Sequence, residues 1–360
     1  MTTVATRRGR LRRSDCSGPG LHRRKRGRGF VYLDEDSDRI EDPAVLERLR
    51  GLAIPPAWRE VWICPDPLGH LQATGIDAAG RKQYLYHPRW RENRDRQKFE
   101  KMVRFGASLP KMRRRVRADL KRGDEPTHQR VLACAVRLLD VGVFRIGSEE
   151  YADDEGGYGL ATIRKEHVTV NGDGAAFDYL AKGGNRRVQV IHDPLTIELI
   201  RALKRRRGGD AQLLAYRDGR RWRGLRSEEI NDYLKEMLGE DFSAKDFRTW
   251  NATLMGSVSL DTADRDAATT TARKRAVDRS VRAVAELLGN TPAVARRAYI
   301  DPRVFDRYLS GWTIAGALRR PDDLDVTDDR VRARIEAAVL DLLTDNKESP
   351  ALDRDPVKSS

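Results

Sequence analysis

The sequence predicts an α+β protein, with a small antiparallel-β domain toward the N-terminus and a larger, mostly helical domain that carries a short three-stranded sheet. Three observations predict it. Between Gly29 and His87, short apolar or aromatic runs alternate with Asp, Gly and Pro turns; beyond Arg89, apolar residues recur at helical spacing; and only residues 167–191 return to strand-like runs. A length of 360 residues sets a prior of about two domains. The predicted division is a flexible basic arm at 1–28, a β-rich domain at 29–90, a mostly helical domain at 91–345 and a polar tail at 346–360.

The arm comes first. Residues 1–30 hold ten Arg or Lys against one acid, Asp15, with interspersed glycines and almost no apolar periodicity, the composition of a solvated tail or a nucleic-acid tether. The runs Phe30–Leu33, Val61–Cys64, Leu71–Thr74 and Gln83–Tyr86 read as strands, with one helix near Pro43–Leu52. Asp66-Pro-Leu-Gly69 and Asp77-Ala-Ala-Gly80 supply turns of the kind that join antiparallel strands.

Arg89–Arg122 carries fourteen basic residues against four acids on a helical pattern, a local charge of +10. In Thr127–Leu139, Val131, Leu132, Ala135, Val136 and Leu139 form the stripe of a core-facing helix. His167–Val170, Phe177–Leu180 and Val188–Ile191, separated by Asn171-Gly172 and Gly183-Gly184-Asn185, predict a meander with Lys182 beside its second turn. Helices are predicted over Asp193–Arg207, Ser227–Leu238, Lys245–Val258, Ala263–Leu288, Val294–Tyr299, from Pro302 onward, and over Asp328–Leu343.

Composition narrows the function. Sixty-nine basic residues against 55 acids leave a net charge of +14, with 34% charged and 39% hydrophobic residues, so a core is available and the partner expected is an anion. The longest apolar stretch, Val131–Phe144, is interrupted by Arg137 and Asp140, too short for a membrane span. Cys16, Cys64 and Cys134 form neither a CxxC pair nor an even set, which fits a reducing compartment. No secretory signal is read at the N-terminus, and a cytoplasmic, nucleoid-associated location is expected.

There is no phosphate-binding GxxxxGK[ST], no GxGxxG opening a helix, no HExxH and no Cys/His cluster. All six histidines precede residue 200, so chemistry in the C-terminal helices must proceed without one. Cations beside turns and apolar segments remain. Arg145, between Phe144 and Ile146, reads equally as an ion-pair partner of Glu149, Glu150 or Asp153 and as a phosphate ligand. Arg248 in Lys245-Asp-Phe-Arg-Thr249, and Tyr299 before Ile300-Asp-Pro302, complete the set.

Five segments, in order, carry a resemblance: Gly80-Arg-Lys-Gln-Tyr-Leu-Tyr-His87, Phe144-Arg-Ile-Gly147, Ala181-Lys-Gly183, Lys245-Asp-Phe-Arg-Thr249, and Leu288-Gly-Asn-Thr-Pro292 followed by Arg297-Ala-Tyr299. Over about Gly29–Leu343 the chain resembles type IB DNA topoisomerases of the compact poxvirus and bacterial kind. The resemblance implies that Tyr299 attacks a DNA phosphodiester to form a 3′-phosphotyrosyl link, that Arg145 and Arg248 contact the non-bridging phosphate oxygens, and that Lys182 protonates the departing 5′-oxygen. It implies double-stranded DNA as substrate, a monomer that clamps it, and no ATP or other cofactor; guanidinium forks satisfy a phosphate without a metal.

Where many relatives have histidine in Gly-His-Thr-Pro, this chain has Asn290. Its amide donates a hydrogen bond but carries no proton back and forth, so Asn290 is expected as an oxyanion donor only. Tyr84 and Tyr86, at strand period, read as packing aromatics or as DNA contacts. Lys245 reads as a solvated helix residue or as a second lysine near the phosphate. Two other functions compete: a tyrosine recombinase, whose second cluster usually reads His-x-x-Arg where this chain has Lys245-Asp-Phe-Arg248, and a non-catalytic basic nucleic-acid-binding protein, which gives Tyr299 no role.

Overall fold

The computed structural model describes residues 9–147, 157–263, 269–318, 328–355 and 357. The chain divides into two compact units, Met1–Lys98 and Phe99–Ser360. The first is built on five antiparallel strands, β1 (Leu21–Arg26), β2 (Gly29–Leu33), β3 (Arg59–Ile63), β4 (Leu71–Ile76) and β5 (Lys82–Tyr86), in the order β2-β1-β3-β4-β5. Helix α1 (Pro43–Gly51) starts at Asp42, whose carboxylate accepts the Ala44 N–H at 2.8 Å. Its Leu49 packs with Val61, Ile63 and Ala73. Trp62, Cys64 and Leu71 form a second cluster with Cys16 and Tyr86, as the alternation of a strand requires.

The basic segment expected as a flexible arm is built into this unit from residue 9 onward. Arg12 N–H donates to Leu68 O and His70 N–H to Arg12 O, and β1 pairs with both β2 and β3. A strand reading LHRRKR is tolerated because its long side chains find carbonyls: Arg23 donates to Ile54 O at 2.7 Å and Pro55 O at 2.8 Å, with its guanidinium 4.2 Å over the Phe30 ring. Composition hid that strand, since the charge run outweighed the single apolar Leu21.

In the second unit, one face of α2 (Pro88–Leu120), from Phe99 to Leu120, and α3 (His128–Val141) contribute to the main core. The helix predicted as a one-sided stripe is buried all round from Arg130 to Asp140. Asp119, Arg137 and Asp140 enter this core as ion pairs, which explains the charges that interrupt the longest apolar stretch. The meander is β6 (Val168–Asn171), β7 (Gly174–Ala181) and β8 (Asn185–Ile191), with Tyr179 opposite Arg187. Then follow α4 (Pro194–Arg205), a hairpin β9 (Ala215–Asp218) and β10 (Arg221–Gly224), α5 (Ser227–Leu238), α6 (Ala244–Ala263), α7 (Thr270–Leu288), α8 (Pro292–Ala298) and α9 (Pro302–Leu309). No helix among the described residues is long and apolar enough to cross a membrane.

Two elements differ from expectation. The β9–β10 hairpin lies between two of the predicted helices, where no element was expected; its turn places Gly219 at φ 58°, and Trp222 packs against the core. The expected polar tail beyond α10 (Asp329–Leu343) returns to the body, where β12 (Asp353–Arg354) pairs with β11 (Trp312–Thr313) and Leu352 is buried.

Candidate active site

The site is assembled around the C-terminal end of α7. That helix closes with Gly289 in the left-handed region, φ 62° and ψ 47°, while Asn290 N–H reaches back to Ala285 O at 2.9 Å; the glycine has no Cβ to oppose that conformation. The last carbonyls of a helix carry its negative pole and lack intrahelical donors. Here three guanidiniums supply them. Arg187 of β8 donates to Glu286 O and Leu287 O, Arg248 of α6 to Leu288 O at 3.0 Å, and Arg145 to Gly289 O at 3.3 Å. Four consecutive carbonyls thus draw cations from three separate elements onto one spot.

Arg145 is placed by its own backbone, because Leu160 N–H donates to Arg145 O and Ala161 N–H to Ile146 O. The two segments touch at Gly147 and Gly159, where a Cβ on Gly159 would lie 2.4 Å from Gly147 N. Its side chain donates to Asn290 Oδ1 at 2.7 Å. That bond fixes the Asn290 amide with its oxygen occupied, and Nδ2 is left buried without a hydrogen-bond partner. A buried orphan donor costs about 1–3 kcal/mol unless a ligand supplies the acceptor.

Arg248 is 5% exposed and also donates to Val143 O at 2.7 Å. Burial pulls its guanidinium below the usual arginine range; Tyr299 opposes that pull, and Arg145 and Arg187 add to it. The Arg248 guanidinium lies 5.3 Å from the centre of the half-buried Tyr299 ring. Tyr299 caps α8, its N–H on Ala295 O, and Thr253 of α6 donates to Tyr299 O at 3.3 Å while accepting Asp301 N–H at 3.1 Å. Tyr179, buried and 6.4 Å from the stacked Phe144 ring, faces the same cations: burial raises its phenol, and Arg187, Arg248 and Arg145 oppose that rise.

Among the described residues, no carboxylate pairs with Arg145, Arg187 or Arg248. The acids considered as partners of Arg145 on sequence grounds, Glu149, Glu150 and Asp153, lie outside the described residues. Among the described residues the donors of the cluster are held by dipoles and not by counter-charges, an arrangement suited to an anion with several oxygens. By contrast, a cavity of about 740 Å³ beside β9–β10 is lined by Asp210, Glu228, Glu229 and Asp232 against Arg223 and Arg226, so acids outnumber bases where such a ligand would need cations.

Four of the residues singled out by sequence, Arg145, Arg248, Asn290 and Tyr299, meet in this cluster. Lys182 is exposed at the β7–β8 turn, where Gly183 and Gly184 take φ of 79° and 72°. Lys245 is exposed in the first turn of α6, three residues from Arg248. Tyr84 and Tyr86 belong to the sheet of the first unit, with rings stacked at 6.3 Å and Tyr84 47% exposed. Sequence reasoning missed Arg187, Tyr179 and Thr253. The first two carried a signal, since they fall on the strands that flank Lys182; Thr253 carried none.

Residues 87–310, which span the whole cluster, match the family described as eukaryotic DNA topoisomerase I, catalytic core. Residues 29–77 match the bacterial DNA topoisomerase IB N-terminal domain. The chain is 29% identical over 298 residues to DNA topoisomerase 1B of Acanthamoeba polyphaga mimivirus, covering 80% of this chain and 87% of that protein. It is 20% identical over 286 residues to DNA topoisomerase 1B of vaccinia virus, covering 76% and 84% respectively. With DNA topoisomerase 1 of Schizosaccharomyces pombe it shares 31% identity over 160 residues, 44% of this chain and 18% of that larger protein.

Proposed function

The chain belongs to the type IB DNA topoisomerase family and is a DNA topoisomerase, and we propose the route by which its residues act on DNA. Tyr299 gives up its phenolic proton to solvent, attacks the scissile phosphorus and forms a 3′-phosphotyrosyl link. The bond to the 5′-oxygen breaks, and Lys182 gives that oxygen its proton. The free strand swivels, and its 5′-hydroxyl then attacks the phosphotyrosine to reseal the duplex. One phosphodiester is exchanged for another, so the step needs no ATP, and supercoiling supplies the driving force.

The observation that carries this reading is the pair of Arg145 and Arg248 on the α7 carbonyls, with Arg248 beside Tyr299. Charge gathers on the equatorial oxygens as the phosphoryl group transfers, and preorganised guanidinium donors stabilise it without a metal. The orphan Asn290 Nδ2 supports a role as a neutral donor to the same oxygens. Lys245, Tyr84 and Tyr86 are proposed as contacts along the duplex, with binding carried mainly by phosphates. The working form is proposed to be a monomer that clamps DNA, associated with the nucleoid.

The test is relaxation of negatively and positively supercoiled plasmid with EDTA present and ATP absent. Wild type is expected to relax both, and Tyr299→Phe neither, with the covalent adduct lost on a suicide duplex. Relaxation by Tyr299→Phe at the wild-type rate would remove Tyr299 as the nucleophile.

A further inference from the structure

Two moving parts of the proposed reaction sit on different elements: Lys182 on the β7–β8 hairpin and Asn290 on the turn after α7. A single side chain ties them together. Arg187 stands in β8 opposite Tyr179, five residues beyond Lys182. Its Nη1 donates to Glu286 O at 3.1 Å and its Nη2 to Leu287 O. The contact continues onto the turn, since a Cβ on Gly289 would lie 3.1 Å from Arg187 Nη1. One planar fork therefore joins the hairpin to the last turn of the helix, a geometry that an ammonium or an amide does not reproduce.

We propose that Arg187 is a positioning residue for DNA cleavage, a staple that fixes the hairpin bearing Lys182 against the helix end bearing Asn290. The proposal rests on the cleavage reaction described above. The fork commits one N–H of each Nη to a carbonyl of its own chain, which assigns Arg187 to the helix end and leaves the phosphate to Arg145 and Arg248. It is not needed for the core: β8 is held to β7 by seven paired positions from Ala175–Ile191 to Ala181–Asn185. What the fork sets is where the turn with Lys182 stands relative to the phosphate held by Arg145, Arg248 and Asn290. A displacement on the order of 1 Å between a proton donor and its acceptor costs up to about 100-fold in rate.

The leaving group provides a readout that a general loss of structure would not move. A 5′-thiolate departs without being protonated, whereas a 5′-alkoxide needs its proton in flight. Single-turnover cleavage of suicide duplexes with a 5′-oxygen or a 5′-sulfur at the scissile bond would be compared for wild type, Arg187→Gln and Arg187→Lys. For Arg187→Gln at saturating DNA, cleavage of the oxygen substrate is expected to fall about 10- to 100-fold. Cleavage of the sulfur substrate, and the Kd for non-covalent DNA measured in a Tyr299→Phe background, are expected to stay within about threefold of wild type. Arg187→Lys, with the charge but not the fork, is expected to lie between the two on oxygen and to match wild type on sulfur. It also keeps the comparison available if Arg187→Gln does not fold.

Unchanged cleavage of the oxygen substrate by folded Arg187→Gln would overturn the proposal. So would an equal loss on both leaving groups, which would put Arg187 at the phosphate itself, or a loss confined to Kd, which would make it a DNA contact. Failure of wild type to cleave either substrate would instead refute the reaction on which the proposal stands.

Discussion

Two groups of three arginines in the second unit are satisfied by opposite chemistry. Arg113, Arg137 and Arg332 are matched by carboxylates: Arg113 forks to Asp140 at 2.8 Å and to Glu336 at 2.6 and 2.8 Å, Arg137 binds Asp193 and Asp329, and Arg332 binds Glu336 at 3.2 Å. Arg145, Arg187 and Arg248 are held by backbone carbonyls and an amide. The first group is neutralised and serves the fold. Among the described residues the second meets only dipoles, and a carbonyl offers a partial charge where a carboxylate offers a whole one, which leaves charge for a phosphate to meet. The peptide from Asp140 to Arg145 runs from one group to the other, with Asn251 donating to Asp140 O and Gly142 O between them.

The largest expected effect breaks the neutral group. Burial alone would push the Asp140 carboxyl up, but Arg113, Arg332 and Arg137 overcome it and hold it well below the usual carboxylate range. Asp140→Asn leaves buried guanidiniums short of a counter-charge and is expected to cost about 3–5 kcal/mol in urea unfolding, as breaking a buried pair does. The folded fraction should still cleave DNA at close to the wild-type rate. The pH dependence has a definite sign. A carboxyl with a depressed folded value contributes its full stability above its unfolded value of about 3.9 and loses it as pH falls toward the folded one. Wild type should therefore lose stability more steeply than Asp140→Asn as pH drops below about 4. Parallel slopes would mean that the network does not hold Asp140 ionised.

The next effect, in the charged group, should be the reverse in kind. Arg248→Gln keeps a donor for a carbonyl but removes a buried cation that has no carboxylate partner among the described residues. Single-turnover cleavage is expected to fall about 10²- to 10³-fold, the loss typical of removing one preorganised oxyanion donor. The unfolding midpoint should shift by no more than the worth of a typical hydrogen bond, about 1 kcal/mol. If Arg248→Gln were as destabilising as Asp140→Asn while cleaving normally, the distinction between the two groups would collapse.

That distinction was only partly legible in the sequence. The turn and period signals located the strands of the meander and most helices, because those depend on local residue order. Arg145, Arg248, Asn290 and Tyr299 were reached through motif order, and on local grounds Arg145 could equally have belonged to an ion pair. What separates a structural arginine from a functional one is the identity of partners far along the chain: Glu336 is 223 residues from Arg113, and Leu288 is 40 from Arg248. Neither separation leaves a trace in a local pattern. The same limit hid β1, whose six residues read as a charge run until the carbonyls of Ile54 and Pro55 are placed beside Arg23. Arg187 was overlooked for the same reason, being one of two adjacent arginines of which its neighbour Arg186 makes an ordinary surface pair with Asp178.

The smallest effect is the sharpest test, because it converts one group into the other with a single atom exchanged. Asn290→Asp replaces the buried, unpartnered Nδ2 with a carboxylate oxygen and leaves the other oxygen 2.7 Å from Arg145. The site then gains the counter-charge that distinguishes the Asp140 network. Thermal stability is expected to rise by about 1 kcal/mol, since the new charge is desolvated but meets cations already in place. DNA cleavage is expected to fall about tenfold or more, as a hydrogen-bond donor to the phosphate becomes an acceptor that repels it. Asn290→Ala separates the two contributions: it removes the donor without adding charge, so it should cleave faster than Asn290→Asp yet be less stable. If the two variants matched in both properties, the charge of the cluster would have no part in its chemistry, and Asn290 would matter only for the shape of the turn.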